Sequence, residues 1–213
     1  MGYFLIVSEI TAPFIILKKT KYQEADLIIQ ALSQSGNKKS FIAKSALRSK
    51  KRFGGGVLEP THFVQFTYTP SKNGTGLNVL NEASVINDFK NIRTDYDKIE
   101  FALNIMNCVT HVSQEGDFDS HFLYNLVGHS LKYLERCDMA SINLFKMHFY
   151  LKFLYQQGVI SLESWMNPFL KTNIVQSETL ILVSELNVIV DSFLSSIELQ
   201  VKHYIKSADS TLG

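Results

Sequence analysis

Residues 62–69 read HFVQFTYT, a run whose aromatic and β-branched content suits a pleated strand, bounded by Pro60 and Pro70. Downstream, the turn Ser71-Lys72-Asn73-Gly74 leads into Leu77–Ile86, where Leu77, Val79, Ala83 and Val85 roughly alternate. Upstream lie Phe14–Leu17, followed by Lys18, Lys19 and Lys21, and then Ala25–Leu32, which ends at the turn cluster Ser33-Gln34-Ser35-Gly36-Asn37. Ser40–Ala43 resumes extended character. The apolar N terminus, MGYFLIVSEI, lacks a basic leader and runs into Glu9, so it reads as a strand and not as a signal peptide. Five or six short strands with no long helix suit a small closed barrel, in which closure removes exposed edges.

From Asp88 onward the spacing becomes helical. Ile99, Leu103, Met106 and Val109 recur every three or four residues, as do Phe122, Leu126, Leu131 and Leu134, and then Leu144, Met147, Leu151 and Leu154. Gly116, Cys137-Asp138 and Gly158 supply breaks, Pro168 interrupts an aromatic connector holding Trp165 and Phe169, and Ser177-Glu178 opens a last apolar stretch through Ile205, one helix or two. The expected architecture is α+β, with a barrel over residues 1–86 and an all-α domain over residues 87–213.

Composition agrees. The 213 residues are 46% hydrophobic, with 15 Phe and 9 Tyr, enough apolar material for a core in each half. Phe14–Leu17 and Thr179–Val183 are far too short to cross a bilayer. Two cysteines, Cys108 and Cys137, both in helical patterns, argue for a reducing compartment and against a disulfide scaffold, so a soluble intracellular protein is expected.

Charge is unevenly placed. The formal net charge is +1, yet residues 1–80 hold 11 Lys/Arg against 4 Asp/Glu, and residues 81–213 hold 10 against 16. Seven bases fall between Lys38 and Arg52 with no acid among them: Lys38, Lys39, Lys44, Arg48, Lys50, Lys51 and Arg52. Like charges at that density repel one another without a counter-charge, and phosphates supply one through salt-sensitive release of counterions. Phe41, Phe53, Phe63, Phe66 and Tyr68 lie in or after the run; they either stack bases or fill the barrel.

Other chemistries find little support. Gly54-Gly55-Gly56 is followed by Val57-Leu58-Glu59-Pro60 and a strand, and Gly36-Asn37-Lys38-Lys39-Ser40 lacks its upstream glycine, so neither is a P-loop or a dinucleotide fingerprint. Cys108, His111, His121, His129, Cys137 and His148 show no CxxC, HxxxH or HExxH spacing, and no metal or other cofactor is expected. Asp95/Asp97, Asp117/Asp119 and Glu135/Asp138 stand near helix ends, where capping or solvation accounts for them. No nucleophile elbow is present, and the chain is not expected to be an enzyme.

The basic run also carries a resemblance. Tyr22-Gln23-Glu24-Ala25-Asp26, Gly36, the segment Ala43-Lys44-Ser45-Ala46-Leu47-Arg48-Ser49-Lys50-Lys51-Arg52-Phe53-Gly54, and Leu58-Glu59-Pro60 together resemble the N-terminal signature of the RecO family of bacterial DNA-repair and recombination-mediator proteins. Leu80-Asn81-Glu82-Ala83 is similar to the end of that family's barrel. Phe122–Leu134, Leu151-Lys152-Phe153-Leu154 with Gly158, and Ile205-Lys206-Ser207 are looser matches. Two departures stand out: Leu47 replaces one of the family's paired arginines, and Val159–Glu178 contains no cysteine where many relatives carry a four-cysteine zinc module.

The resemblance implies an OB-fold followed by a helical domain without that zinc module. It implies binding of single- and double-stranded DNA, annealing of complementary strands, and work with RecR and the tail of single-stranded-DNA-binding protein to load RecA, in the bacterial cytoplasm and away from membranes. The expected DNA-binding residues are the seven of the basic run, with Lys18, Lys19 and Lys21 as a second strip. Two other readings stay open: a generic OB-type single-stranded-DNA or RNA binder with a helical dimerisation domain, and a helical scaffold whose basic loop binds an acidic protein tail.

Overall fold

The computed structural model describes residues 8–71, 76–113, 121–183 and 185–211. It divides into two compact units, Met1–Asp88 with Ser113–Tyr124, and Phe89–Val112 with Asn125–Gly213.

Five strands form the first unit: β1 (Ile10–Tyr22), β2 (Asp26–Ser33), β3 (Lys38–Ala43), β4 (Phe63–Thr69) and β5 (Asn78–Asn87). They close in the order β1-β2-β3-β5-β4, antiparallel throughout except for a short parallel pairing of β3 with β5 at Phe41–Asn78 and Ile42–Val79. This closed barrel is the OB-fold. Residues 1–7, read as a strand, lie outside the described residues, and β1 begins at Ile10.

Period-two patterning explains the core. Along β4, Val64, Phe66 and Tyr68 are buried while Phe63, Gln65, Thr67 and Thr69 are half-exposed. Inside the barrel Phe14, Phe41, Phe66 and Tyr68 meet with ring centroids 5.1–5.9 Å apart, mostly edge to face. Each such ring, buried, contributes roughly 1.5–3 kcal/mol. Phe41 and Phe66 are inaccessible and Tyr68 nearly so, which settles their role as core filler and not as base-stacking surface.

β1 is longer than its apolar run suggests. Phe14 and Ile16 face the barrel core, while Ile15 and Leu17 are buried on the opposite side. The ladder with β2 then slips between Ile16 and Lys18, leaving Leu17 as a bulged extra residue. Past the bulge, Lys19 and Lys21 stand opposite Ile29 and Leu27, so both lysines fall on the register of the core-facing positions at the mouth of the barrel.

The second unit is helical: α1 (Tyr96–Val112), most of α2 (His121–Arg136), α3 (Ile142–Gln156), α4 (Asn167–Lys171), α5 (Glu178–Ile181) and α6 (Glu185–Thr211). α3 is buried on nearly every side and packs against α4 and α6, with Phe145 and Phe149 each 5.8 Å from Phe101 of α1. α6 buries Leu186, Val190, Ile197, Val201 and Ile205, one stripe at helical spacing.

Helix ends follow local chemistry. Asp95 accepts from the N–H groups of Asp97 and Lys98 at 3.0 and 3.2 Å and caps α1. Gly158, with φ 68°, closes α3 while the N–H of Val159 returns to the carbonyl of Leu154. Pro168 does not break the connector; it sits in the first turn of α4, where its missing N–H has no intrahelical partner to lose. In α1 the buried face is Phe101, Ala102, Ile105, Met106 and Val109, and Leu103, expected on the apolar side, is exposed.

Candidate nucleic-acid interface

The connection between β3 and β4, residues 44–62, carries most of the basic run as a series of turns. Ala46, Phe53, Val57 and Leu58 drop from it into the barrel's core cluster. Ser45, at φ 55°, donates its N–H to Asp26 Oδ1 at 2.7 Å, and the N–H of Leu47 bonds the Ala25 carbonyl at 3.0 Å. Both partners belong to the tip between β1 and β2, which is thereby fastened to the loop. The N–H of Ala83 in β5 bonds the Arg52 carbonyl at 3.3 Å, and the N–H of Thr61 bonds the carbonyl of Ile16 at 2.9 Å.

The glycine triplet sets the loop's shape. A Cβ on Gly54 would lie 2.1 Å from the carbonyl oxygen of Lys50, so no other residue fits there. Gly55 and Gly56 have φ values of 68° and 73°, the left-handed region that glycine adopts without penalty.

The basic residues separate into groups. Lys44, Arg48, Lys50, Lys51 and Arg52 are exposed on the loop. Arg48 pairs with Glu24 across the hairpin tip at 3.2 Å, and Arg52 donates to the Lys44 carbonyl at 3.0 Å with its guanidinium 5.0 Å from the Phe53 ring centroid. Lys44, Lys50 and Lys51 have no carboxylate partner among the described residues. On β1, Lys18 and Lys21 are exposed, while half-buried Lys19 bonds Glu59 Oε1 at 2.6 Å. Leu27 of β2 pairs with both Lys21 and Ala43, so Lys21 lies at the loop end of the barrel and Lys19, opposite Ile29, two residues in; Lys18, opposite Gln30 and through it Ser40, stands mid-strand, one rung from Lys39.

Lys38 and Lys39 do not join them. They begin β3, paired with Leu32 and Ala31, five residues before Ala43. At about 3.3 Å per residue this places Lys38 about 17 Å along the strand from the loop's start. Lys39 occupies an inward register and leans over buried Tyr68, with Nζ 3.5 Å from the phenol oxygen and 5.8 Å from the ring centroid. Phe53, which the sequence leaves open to either stacking or packing, is buried as an anchor of the loop.

Three features were missed by sequence reasoning. Glu24 and Glu59 reach the basic surface from 24 and 40 residues away, a separation no local pattern reveals. The third is a cavity of about 570 Å³ beside the loop, with Leu27, Phe53 and Leu58 in its apolar lining and Lys19, Arg48 and Lys50 among its polar lining residues.

Elsewhere, no group of three or more His, Cys, Asp or Glu gathers as a metal site among the described residues. Cys108 and Cys137 are buried free thiols, and burial raises Cys108 to about 12. His148 is inaccessible, with Nδ1 2.8 Å from Ser177 Oγ and Nε2 3.1 Å from the Thr172 carbonyl; burial, reinforced by Lys152, lowers its pKa to about 3. Asp138 caps a short turn through the N–H of Ala140, and Asp117 and Asp119 lie outside the described residues. No described helix is long and apolar enough to cross a membrane.

Strand order and loop define the class: an OB-fold protein whose β3–β4 connection is its cationic element. Residues 7–89 match the family described as Recombination protein O N terminal. A curated protein of Maridesulfovibrio salexigens, DNA repair protein RecO, is 31% identical over 150 residues, covering 70% of this chain and 59% of that relative. Proteins of the same name from Desulfatibacillum aliphaticivorans and Desulfosudis oleivorans are 31% and 30% identical, covering 70% of this chain in each case and 57% and 56% of the relatives. The chain belongs to the RecO family. It spans less than three fifths of the length of these relatives.

Proposed function

We propose that this chain acts in DNA repair by binding single- and double-stranded DNA at the loop end of its barrel and annealing complementary strands there. Residues 1–86 serve as the DNA-binding domain and residues 87–213 as the helical domain. The observation that carries this reading is the set of exposed lysines, Lys44, Lys50 and Lys51, held on a hydrogen-bonded loop without carboxylate partners among the described residues. Seven cations, Lys19, Lys21, Lys44, Arg48, Lys50, Lys51 and Arg52, share that end with three carboxylates, Glu24, Asp26 and Glu59, and Lys18 stands farther back along β1.

Such a surface neutralises phosphates from two strands at once, which reduces their mutual repulsion, and pairing then needs no covalent step. Working with RecR, the chain would bind the tail of single-stranded-DNA-binding protein and assist the loading of RecA, in the cytoplasm. Lys38 and Lys39 contribute least, because they stand at the far end of β3. An annealing assay on complementary oligonucleotides tests the core of the reading: pairing should accelerate with added protein. A generic single-strand or RNA binder would instead protect single strands and slow pairing. A loop that serves an acidic protein tail would leave DNA affinity intact when Lys44, Lys50 and Lys51 are replaced.

A further inference from the structure

We propose that the cavity beside the basic loop receives one unpaired nucleobase, making it the element that distinguishes single strands from duplex. The inference rests on the DNA-binding reading above and adds to it what the lysines alone cannot supply, a contact to bases. Phe14, Phe41, Phe66 and Tyr68 inside the barrel are enclosed, so bases need apolar surface outside it to be held by anything but their phosphates. The cavity offers that surface. Leu47 stands on its wall 56% exposed, above a buried floor of Leu27, Phe53 and Leu58, and the cavity's volume of about 570 Å³ is ample for a base and its sugar.

Leu47, exposed beside the loop's five cations, provides a wall against which a flat, weakly polar ring can rest. The charge around the cavity fits the same occupant. Arg48 and Lys50 line it and offer cations to the phosphates beside an inserted base. Glu59, the one acid in the lining, is neutralised by Lys19 at 2.6 Å and so does not repel the strand. In a duplex both faces of each base are stacked, and the cavity would stay empty.

The test uses the full chain and two labelled strands of equal length and charge, one natural and one built entirely of abasic sites, titrated by anisotropy at several salt concentrations. The natural strand should bind roughly fivefold or more tightly, the lower end of what one stacked base contributes. Both strands should share one salt slope, because the phosphate contacts are common to them. Leu47→Ala, at an exposed position the fold does not depend on, should narrow the gap by weakening the natural strand alone. Equal binding of the two strands, or a gap that Leu47→Ala leaves unchanged, overturns the base pocket while leaving DNA binding intact. Failure of both strands to bind overturns the DNA-binding reading and the pocket with it.

Discussion

Replacing Lys44, Lys50 and Lys51 together with alanine removes three exposed charges that have no carboxylate partner among the described residues and no buried packing. The fold should be unaffected, so any loss belongs to the interface. On a single strand each phosphate contact contributes about 0.7 to the slope of log K against log salt, so the slope should flatten by about 2.1. At 0.1 M salt the same three contacts amount to about 2.1 decades of affinity, or about 2.9 kcal/mol. Fluorescence anisotropy with a labelled oligonucleotide, repeated from low to moderate salt, reads both quantities. The comparison is the double variant Lys38→Ala, Lys39→Ala, two charges at the other end of β3. Its slope should change by less than about one unit, because Lys39 is occupied over Tyr68 and the strand's length separates both from the loop. An unchanged slope in the triple variant, or an equal share lost in the Lys38/Lys39 variant, would refute the division of the basic run into two sites.

Gly54→Ala must displace the Lys50 carbonyl, 2.1 Å from the new Cβ, and should lower stability by about 1–3 kcal/mol in urea melts while weakening DNA binding. Gly55→Ala meets nothing within 4 Å and incurs only its positive φ, so its loss should stay near about 1 kcal/mol. Phe66→Ala removes one fully buried ring from the barrel's aromatic cluster and should lower stability by about 3–5 kcal/mol, read by the same melts. His148 is held neutral in the folded state, at about 3 against 6.5 for the free side chain, so the unfolded chain takes up the proton first. Its contribution is therefore complete above the unfolded value and is lost as pH falls from about 6.5 toward about 3, at up to about 1.4 kcal/mol per pH unit. Stability measured across that window in wild type and His148→Gln should show a shallower acid slope in the variant; parallel curves would sink this assignment.

Much of the barrel is legible in the sequence because strands leave a local record. HFVQFTYT alternates between core and surface as β4, and the turn cluster at 33–37 separates β2 from β3 as its composition suggests. The shape of the basic site left no such record. Lys39 and Lys44 are near neighbours in sequence, but an extended strand runs between them and carries Lys39 into the register of the core. The Leu17 bulge is equally silent, since nothing in Phe14–Leu17 marks which apolar residue is extra, yet it decides that Lys19 points toward Glu59. Among the helices, α1 shows how a three-to-four spacing identifies the element without fixing its buried face: Phe101 and Ile105 turn inward and Leu103 outward.

The loop's hydrogen bonds to Ala25, Asp26, Ala83 and Ile16 bear on timing as well as on shape. A segment already fixed before its ligand arrives has little ordering left to do on contact, so capture should run near the rate of encounter and be accelerated by the surface charge. On the proposed DNA-binding reading, release of the phosphates would depend on the surrounding salt and need no slow rearrangement of the loop. If the loop binds DNA as proposed, it would let go of a mismatched strand and take another many times over, each trial beginning from the same loop backbone.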